Sequence, residues 1–337
     1  MERRKISSLG KYSLIVTLPK KWTNMNRLQS GDEVSIDIQG DGALVIHPEL
    51  EYTAKEDEVI LPINVDEDVK MIQRKIVGSY LNGYDTIVLT SGKNFLSEQQ
   101  DGIRSIVKSL YLRIYESHAN HITLKAFMDE SLASIDSGIE RMHIITYSMA
   151  HDVINALRDW DIELAKSVLS LEEDVDQFMF FLTRLIRTAV NNPALASKLQ
   201  VSMSDCFDYH LLINRVEYVA DGLTSISESI ISLYDYRASI TEDIIQSLTE
   251  EATKAIGYYE LAVDTFFEDS IDGLGEIIDF ADENKVLDDI LEKISVNGKM
   301  DSHAVILFHS ILENIQRISN YAADIAEIVI DRHYSPE

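Results

Sequence analysis

The sequence lacks the residues and runs on which several classes of protein depend. Its 337 residues include a single cysteine, Cys206, which excludes an internal disulfide and a cysteine-based zinc site. No apolar run reaches the roughly 18 residues that a membrane-spanning helix requires. The first residues carry charge but no apolar segment and no small-residue cleavage site, unlike a signal peptide. We therefore expect a cytoplasmic protein.

The sequence signatures of catalysis are missing as well. There is no G-x-S-x-G elbow, no Walker-type G-x-x-x-x-G-K and no G-x-G-x-x-G. Glu140 and His143 form one Glu-x-x-His pair, but di-iron helix bundles need two such pairs and two further carboxylates. His143 is thus better interpreted as a surface or core histidine. We expect a protein that is not an enzyme.

Basic residues are scarce outside one short segment. The chain has 30 Lys and Arg against 57 Asp and Glu, a net charge of −27. Residues 1–25 nevertheless carry +5, which leaves −32 for the rest. Because phosphate neutralisation by Lys and Arg supplies most of the affinity for nucleic acids, any DNA contact must be made by this segment. The alternative to DNA binding is that these cations form a solvated face without a partner. The candidate DNA-binding residues are Arg3, Arg4, Lys5, Lys11, Lys20 and Lys21.

Residues 1–50 are predicted to form a small β-rich head. KYSLIVTLP, EVSIDIQ and ALVIHP have the composition of strands, and Pro19 with the following KKW breaks the first of them. So short a sheet, with so few apolar side chains, cannot close a core alone. We expect the head to dimerise.

Two further regions follow the head. Residues 55–128 alternate strand and helix patterns and predict a small α/β segment, with Ser97 as the N-cap of its second helix. From about residue 130, glycine and proline nearly vanish and the 3.6-residue period predicts helices. Their expected bounds are 131–158, 161–191, 203–236, 241–268, 272–296 and 301–332. They form two three-helix units, 130–238 and 239–334.

The two helical units look like repeats of each other. RDWDIELAKSVLSLEED (158–174) aligns with EDSIDGLGEIIDFADEN (268–284) at an offset of 110, and the last helices align at an offset of 99. We expect the units to pack side by side in one all-α domain. Aligned positions include Leu164 with Leu274, Glu172 with Asp282, Glu217 with Gln316, Asp221 with Asn320, and Ile226 with Ile325.

Four carboxylates of the first unit form a candidate metal site. Glu172 and Asp176 are four residues apart on one helix, as are Glu217 and Asp221 on another, so each pair shares a helical face. Converging carboxylates between bundle helices hold divalent or ferric ions in such folds. In so acidic a chain, solvated faces are the alternative. The second unit has Val286, Gln316 and Asn320 at three of these positions, which predicts no equivalent second site.

The helical part resembles the PhoU family of phosphate-uptake regulators. The resemblance rests on NRVEYVAD with SISE (214–228), NIQRISN with YAADIAE (314–327) and LEEDVDQF (171–178). It implies two three-helix repeats and an iron or zinc cluster. By position, the metal ligands would be Glu172, Asp176, Glu217 and Asp221.

The head resembles the AbrB/SpoVT swapped-hairpin domain, through its basic strand, Gly10, the LPKKW block at 18–22, and Gly31-Asp32 before VSIDI. This resemblance implies two chains that interleave hairpins in one barrel. The combination is similar to archaeal PhoU-domain proteins that carry an AbrB-type head. It implies a multidomain fold: an all-β swapped-hairpin head, a short α/β segment and an all-α domain of two repeats.

Together these features predict a dimeric, DNA-binding transcriptional regulator of phosphate uptake. Its helical part would sense phosphate status or bind a partner of the transport machinery, without inserting into a membrane. The alternative is a transporter adaptor that never touches DNA and uses the head only to dimerise. A metal-dependent oxidase or hydrolase is disfavoured by the missing ligand symmetry.

Overall fold

The structure is a computed structural model that describes residues 3–10, 13–38, 42–48, 57–127, 134–268, 270–282, 290 and 301–335. The chain divides into two compact units, Met1–Lys55 together with Glu337, and Glu56–Pro336. The first unit contains the head, and the second contains the α/β segment and the helices.

The head consists of two hairpins and a short helix. Strands β1 (Ser7–Leu9) and β2 (Ser13–Ile15) pair antiparallel, and so do β3 (Ser35–Ile38) and β4 (Leu44–His47). The predicted strands are confirmed in these segments. The KKW that was predicted only to break a strand instead begins helix α1 (Lys20–Met25), because Pro19 at its N-cap has a φ of −62° and lacks the N–H that a strand would need.

The head does not bury a core of its own. Among its described residues no side chain is buried, and large apolar side chains on both hairpins face solvent. The exposed fractions are 72% for Leu14, 60% for Ile36 and 74% for Ile38. Each such side chain would contribute about 1.5–3 kcal/mol if it were covered. The expectation that this sheet cannot close a core alone is therefore met within one chain.

The α/β segment has two helices on one face of a four-stranded sheet. Its elements run β5 (Glu58–Ile63), α2 (Val69–Leu81), β6 (Thr86–Ser91), α3 (Ser97–Ser109), β7 (Leu112–His118) and β8 (His121–Ala126). The strand order is β5-β6-β8-β7; β5 and β6 are parallel and the other pairs antiparallel. Ile76, Ile87, Leu89, Ile103 and Leu124 are fully buried between the sheet and the helices.

The N-cap predicted at Ser97 is wrong by one residue. The N-cap of α3 is Leu96, whose backbone N–H donates to Gln99 Oε1 at 3.1 Å. The Gln99 amide in turn donates to the carbonyls of Asn64, Val65 and Glu67. Gln99 is thus buried and fixes the start of α3 against the loop after β5, a long-range role that local capping patterns do not reveal.

The helical part contains the long helices that the periodicity predicts, and one more. They are α4 (Ile135–Asp159), α5 (Ile162–Asn191), α7 (Met203–Leu233), α8 (Glu242–Glu268), α9 (Leu274–Asp282) and α10 (Ser302–His333). The segment around Pro193, expected only to separate two helices, forms the short helix α6 (Pro193–Leu199), which Asn192 caps. Most of the predicted 283–296 stretch lies outside the described residues, although Ile290 is helical and buried.

The two predicted repeats pack into one core. Helices α4, α5 and α7 form the first repeat, and α8, α9 and α10 form the second. The corresponding helices α7 and α10 pack on each other, and α4 also contacts α8. The aligned residues Ile226 and Ile325 are both buried in this core, as the repeat alignment requires. None of the described helices is long and apolar enough to cross a membrane.

Helix α5 connects the α/β segment to the helical part. The Arg184 side chain is 4% exposed and donates to the carbonyls of Tyr80, Gly83 and Tyr84 at the end of α2. It also forms an ion pair with Asp85 at 2.7 Å. A buried guanidinium whose donors are satisfied in this way holds the two parts of the unit together.

Candidate functional site

Helices α5 and α7 bring the four predicted metal-binding carboxylates into one region. Glu172 and Asp176 lie one turn apart on α5, and Glu217 and Asp221 lie one turn apart on α7, which packs against α5. The first three are half-buried and Asp221 is exposed. The i, i+4 spacing therefore places each pair on a common helix face, as the sequence predicts.

The four carboxyl groups all have raised pKa values. Burial, followed by repulsion from Glu172 and Asp221, raises the pKa of Asp176 to about 6. Burial, followed by repulsion from Asp221, Asp176 and Glu172, raises the pKa of Glu217 to about 7. Burial is the first cause for Glu172 as well, and partial burial of the carboxyl group raises the pKa of Asp221, although the residue as a whole is exposed. The charged neighbours that act on Glu172, Asp176 and Glu217 are all acidic, so no positive charge among the described residues offsets their repulsion.

Two further acids that sequence reasoning left out of the ligand set contribute to this repulsion. Glu173 and Glu228 both raise the pKa of Glu172. Glu228 lies seven residues after Asp221, two turns further along the same face of α7, and this spacing could have identified it. We call six carboxylates the acidic cluster: Glu172, Glu173, Asp176, Glu217, Asp221 and Glu228.

The oxygen ligands of the acidic cluster suit a cation, but the side chains are not arranged to coordinate one. Carboxylate oxygens without a positive neighbour are suited to a hard cation. Within the described residues, however, no three His, Cys, Asp or Glu side chains are placed so that they could hold one metal ion together. The side chains would have to turn towards a common point for a metal to bind.

At the positions of the second repeat that correspond to Glu217 and Asp221, the side chains are neutral amides that hydrogen-bond to each other. Gln316, which corresponds to Glu217, donates to the carbonyl of Ala281 at 3.1 Å and to Asn320 Oδ1 at 2.9 Å. Asp282 is exposed, and Val286 lies outside the described residues. The described part of the second repeat is thus held by hydrogen bonds where the first repeat has repelling charges.

The predicted DNA-binding residues lie on the surface of the head. Arg3, Arg4 and Lys5 are exposed in the segment before β1, and Lys20 and Lys21 are exposed in the first turn of α1. Arg4 Nη1 donates to Thr17 Oγ1 at 3.2 Å, which brings the N-terminal segment beside the residues before α1. Lys11 lies outside the described residues.

His143, interpreted from the sequence as a surface or core histidine, lies on α4. It is half-buried between α4 and α8, and its Nδ1 lies 3.1 Å from the Tyr259 hydroxyl. Burial lowers its pKa below the usual value. Its partner in the Glu-x-x-His pair, Glu140, is exposed.

Family models match two segments of the chain. The family model described as PhoU domain matches residues 139–230, a range that contains the four predicted metal-binding carboxylates. Over this range the chain is similar to the PhoU domain. The model described as antidote-toxin recognition MazE, bacterial antitoxin, matches residues 11–61, which cover the head from residue 11 onwards and extend into β5. No curated protein sequence matches the chain.

Two solved structures resemble the helical part. PhoU from Pseudomonas aeruginosa is 18% identical, with a TM-score of 0.50, and covers 58% of this chain and 94% of its own. The phosphate transport system regulatory protein PhoU from Streptococcus pneumoniae is 13% identical, with a TM-score of 0.45, and covers 58% and 92%. The likeness to the Pseudomonas protein supports the PhoU fold predicted from the sequence.

Proposed function

We propose that the protein is a cytoplasmic, dimeric, DNA-binding regulator of phosphate uptake. Its PhoU domain would sense phosphate status or bind a component of the phosphate-transport machinery. The observation that carries this proposal is the joining of a PhoU domain at 139–230 to a basic head that matches a MazE-type model at 11–61. The comparisons support the PhoU assignment, whereas DNA binding rests on the charge and exposure of the head.

A second copy of the chain is the partner that the head requires. Its hairpins expose Leu14, Ile36 and Ile38, and no described side chain of the head is buried. Association through these faces would remove their apolar surface from water, which is the main driving force of such contacts. Two-fold symmetry would double the basic residues and place two copies of Arg3, Arg4 and Lys5 on one particle.

A salt titration of DNA binding tests the proposed output. If both protomers bind phosphates through their basic residues, the logarithm of the affinity should fall steeply with the logarithm of salt, at about −0.9 per phosphate neutralised. Lys20→Gln/Lys21→Gln removes four charges from a dimer and should lower the slope by up to about 4. Lys70→Gln/Lys93→Gln, outside the head, is the control with the same change in charge and should leave the slope unchanged.

The adaptor is the second candidate, and the same experiment separates it from the first. The exposed apolar hairpins would serve dimerisation whether or not the head touches DNA. A dimer that binds no DNA at low salt, or binds it with a flat salt dependence, would support the adaptor and contradict the DNA-binding regulator.

We further propose that Glu172, Asp176, Glu217 and Asp221 bind an iron or zinc ion. Burial, and for Glu172, Asp176 and Glu217 also repulsion from neighbouring acids, raises the pKa values of these carboxyl groups, and a bound cation would offset both effects. A bound ion would cross-link α5 and α7. Metal analysis of the purified protein and of Glu217→Gln/Asp221→Asn tests this, with Glu327→Gln on α10 as a control. Equal metal content in all three proteins would exclude these ligands.

A further inference from the structure

A small cavity lies where the α/β segment meets helix α5. Its volume is about 190 Å³. It is formed by the end of α3, the start of β7, the residue after β8 and one side chain of α5. The lining residues are Val107, Lys108, Leu110, Tyr111, Leu112, Arg113, Phe127 and Gln177.

The cavity carries two positive charges and no acidic residue in its lining. Lys108 and Arg113 are exposed, and neither forms an ion pair with any residue in the described part of the chain. Lys108 lies in the last turn of α3, where a cation is favoured by the helix dipole, but this reason does not apply to Arg113 on β7. In a chain of net charge −27, two such cations at one cavity favour an anionic ligand.

An aromatic ring lies beside these cations. The guanidinium carbon of Arg113 is 4.3 Å from the centroid of the Phe127 ring, and Phe127 is 55% exposed. An exposed phenyl ring next to a guanidinium provides a stacking surface for a planar group together with a fork of donors for a phosphate.

The inner part of the cavity is apolar and fixed in shape. Val107, Leu110 and Leu112 belong to the buried core of the α/β segment. Gln177 Nε2 donates to the carbonyl of Lys108 at 2.9 Å, which holds α5 against the end of α3. The cavity therefore has an apolar floor and a cationic rim, the arrangement expected for a ligand with one apolar and one anionic end.

We propose that this cavity binds a small organic phosphate of the nucleotide type. The phosphate accepts hydrogen bonds from Lys108 and Arg113 at the rim, and the planar base contacts Phe127 and the apolar floor. Inorganic phosphate would leave the apolar floor unused, and a neutral nucleoside would leave the cations unpaired. The inference does not rest on the proposed role in phosphate uptake.

Calorimetric titration of the full-length protein with AMP, inorganic phosphate and adenosine tests this inference. We expect AMP to bind at least about tenfold more tightly than either fragment, because each fragment uses only half of the cavity. Absence of AMP binding would overturn the proposal. So would affinities for inorganic phosphate or for adenosine that equal that for AMP.

Two double variants locate the binding site. Lys108→Gln/Arg113→Gln should weaken AMP binding by about tenfold or more, since charge-assisted hydrogen bonds to phosphate are lost. Lys93→Gln/Arg104→Gln changes the charge equally, at residues of the same segment that do not line the cavity, and should bind AMP like the wild type. Equal losses in both variants would indicate a general charge effect and contradict the assignment. Circular dichroism confirms that both variants are folded.

Discussion

Glu217→Gln should make the metal-free protein more stable, and only above acidic pH. The carboxyl group of Glu217 has a pKa of about 7, against a usual value of 4.5. Below pH 4.5 the group is protonated in both the folded and the unfolded state and does not affect stability. Between pH 4.5 and 7 the unfolded chain releases this proton while the folded chain keeps it, so the free energy of unfolding falls with rising pH.

The size of this effect follows from the two pKa values. At 1.36 kcal/mol for each pH unit, the free energy of unfolding would fall by about 3 kcal/mol by pH 7 and stay lowered above it. Glu217 is only half-buried and Asp221 is exposed, so solvent screening reduces the expected value to about 1–2 kcal/mol. Because glutamine resembles the neutral carboxyl group, the substitution should restore this amount at pH 8.

Urea unfolding in the presence of a chelator, at pH 4.5 and pH 8, measures this difference. Glu327→Gln, an exposed carboxylate on α10 of the second repeat, is the control and should show no gain at either pH. A gain for Glu217→Gln that is equal at both pH values, or absent at pH 8, would refute the electrostatic reasoning. If iron or zinc binds as proposed, adding the metal should reverse the effect, because the variant loses a ligand.

Three further substitutions test other contacts. Arg184→Ala should lower the free energy of unfolding by about 3–5 kcal/mol in urea, because it removes the ion pair to Asp85 and three hydrogen bonds to backbone carbonyls at the end of α2. Arg187→Ala removes one exposed hydrogen bond and should cost under about 1 kcal/mol. Equal costs would contradict the anchoring role. Gly138→Ala should overpack the core, because the new Cβ would lie 2.5 Å from Leu182 Cδ2. We expect a loss of about 1–3 kcal/mol in the free energy of unfolding, seen as a lower melting temperature. Gln316→Glu should destabilise the second repeat by about 1–3 kcal/mol at neutral pH, because two hydrogen bonds are lost; an unchanged urea midpoint would exclude this role.

Periodicity and composition were sufficient to predict the long helices of the C-terminal part and their repeat. A helix that buries one face repeats its apolar residues about every 3.6 positions, and this pattern predicted α5, α7 and α10. The aligned pair Ile226 and Ile325 is buried in the shared core as expected. Helix α6 was missed because seven residues after Pro193 are too few to show a period.

The parts that depend on distant contacts could not be predicted. The N-cap of α3 was misplaced because Gln99 bonds to a loop more than 30 residues away, which outweighs the local preference for Ser97. Spacing along α7 places Glu228 on the same face as Asp221, but its effect on the pKa of Glu172 depends on how α7 packs against α5. The cavity at Arg113 and Phe127 combines residues from α3, β7 and α5 with the residue after β8, so no local pattern indicates it.

The central claim is that the protein links phosphate status to DNA, and genome-wide footprinting of the tagged protein tests it most directly. Cells are compared in phosphate-rich and phosphate-poor medium, with Lys20→Gln/Lys21→Gln as the control that weakens the head. The account predicts occupancy near phosphate-transport operons that changes with phosphate and is lost in the variant. Occupancy that is absent, or unrelated to phosphate and to these operons, would contradict it.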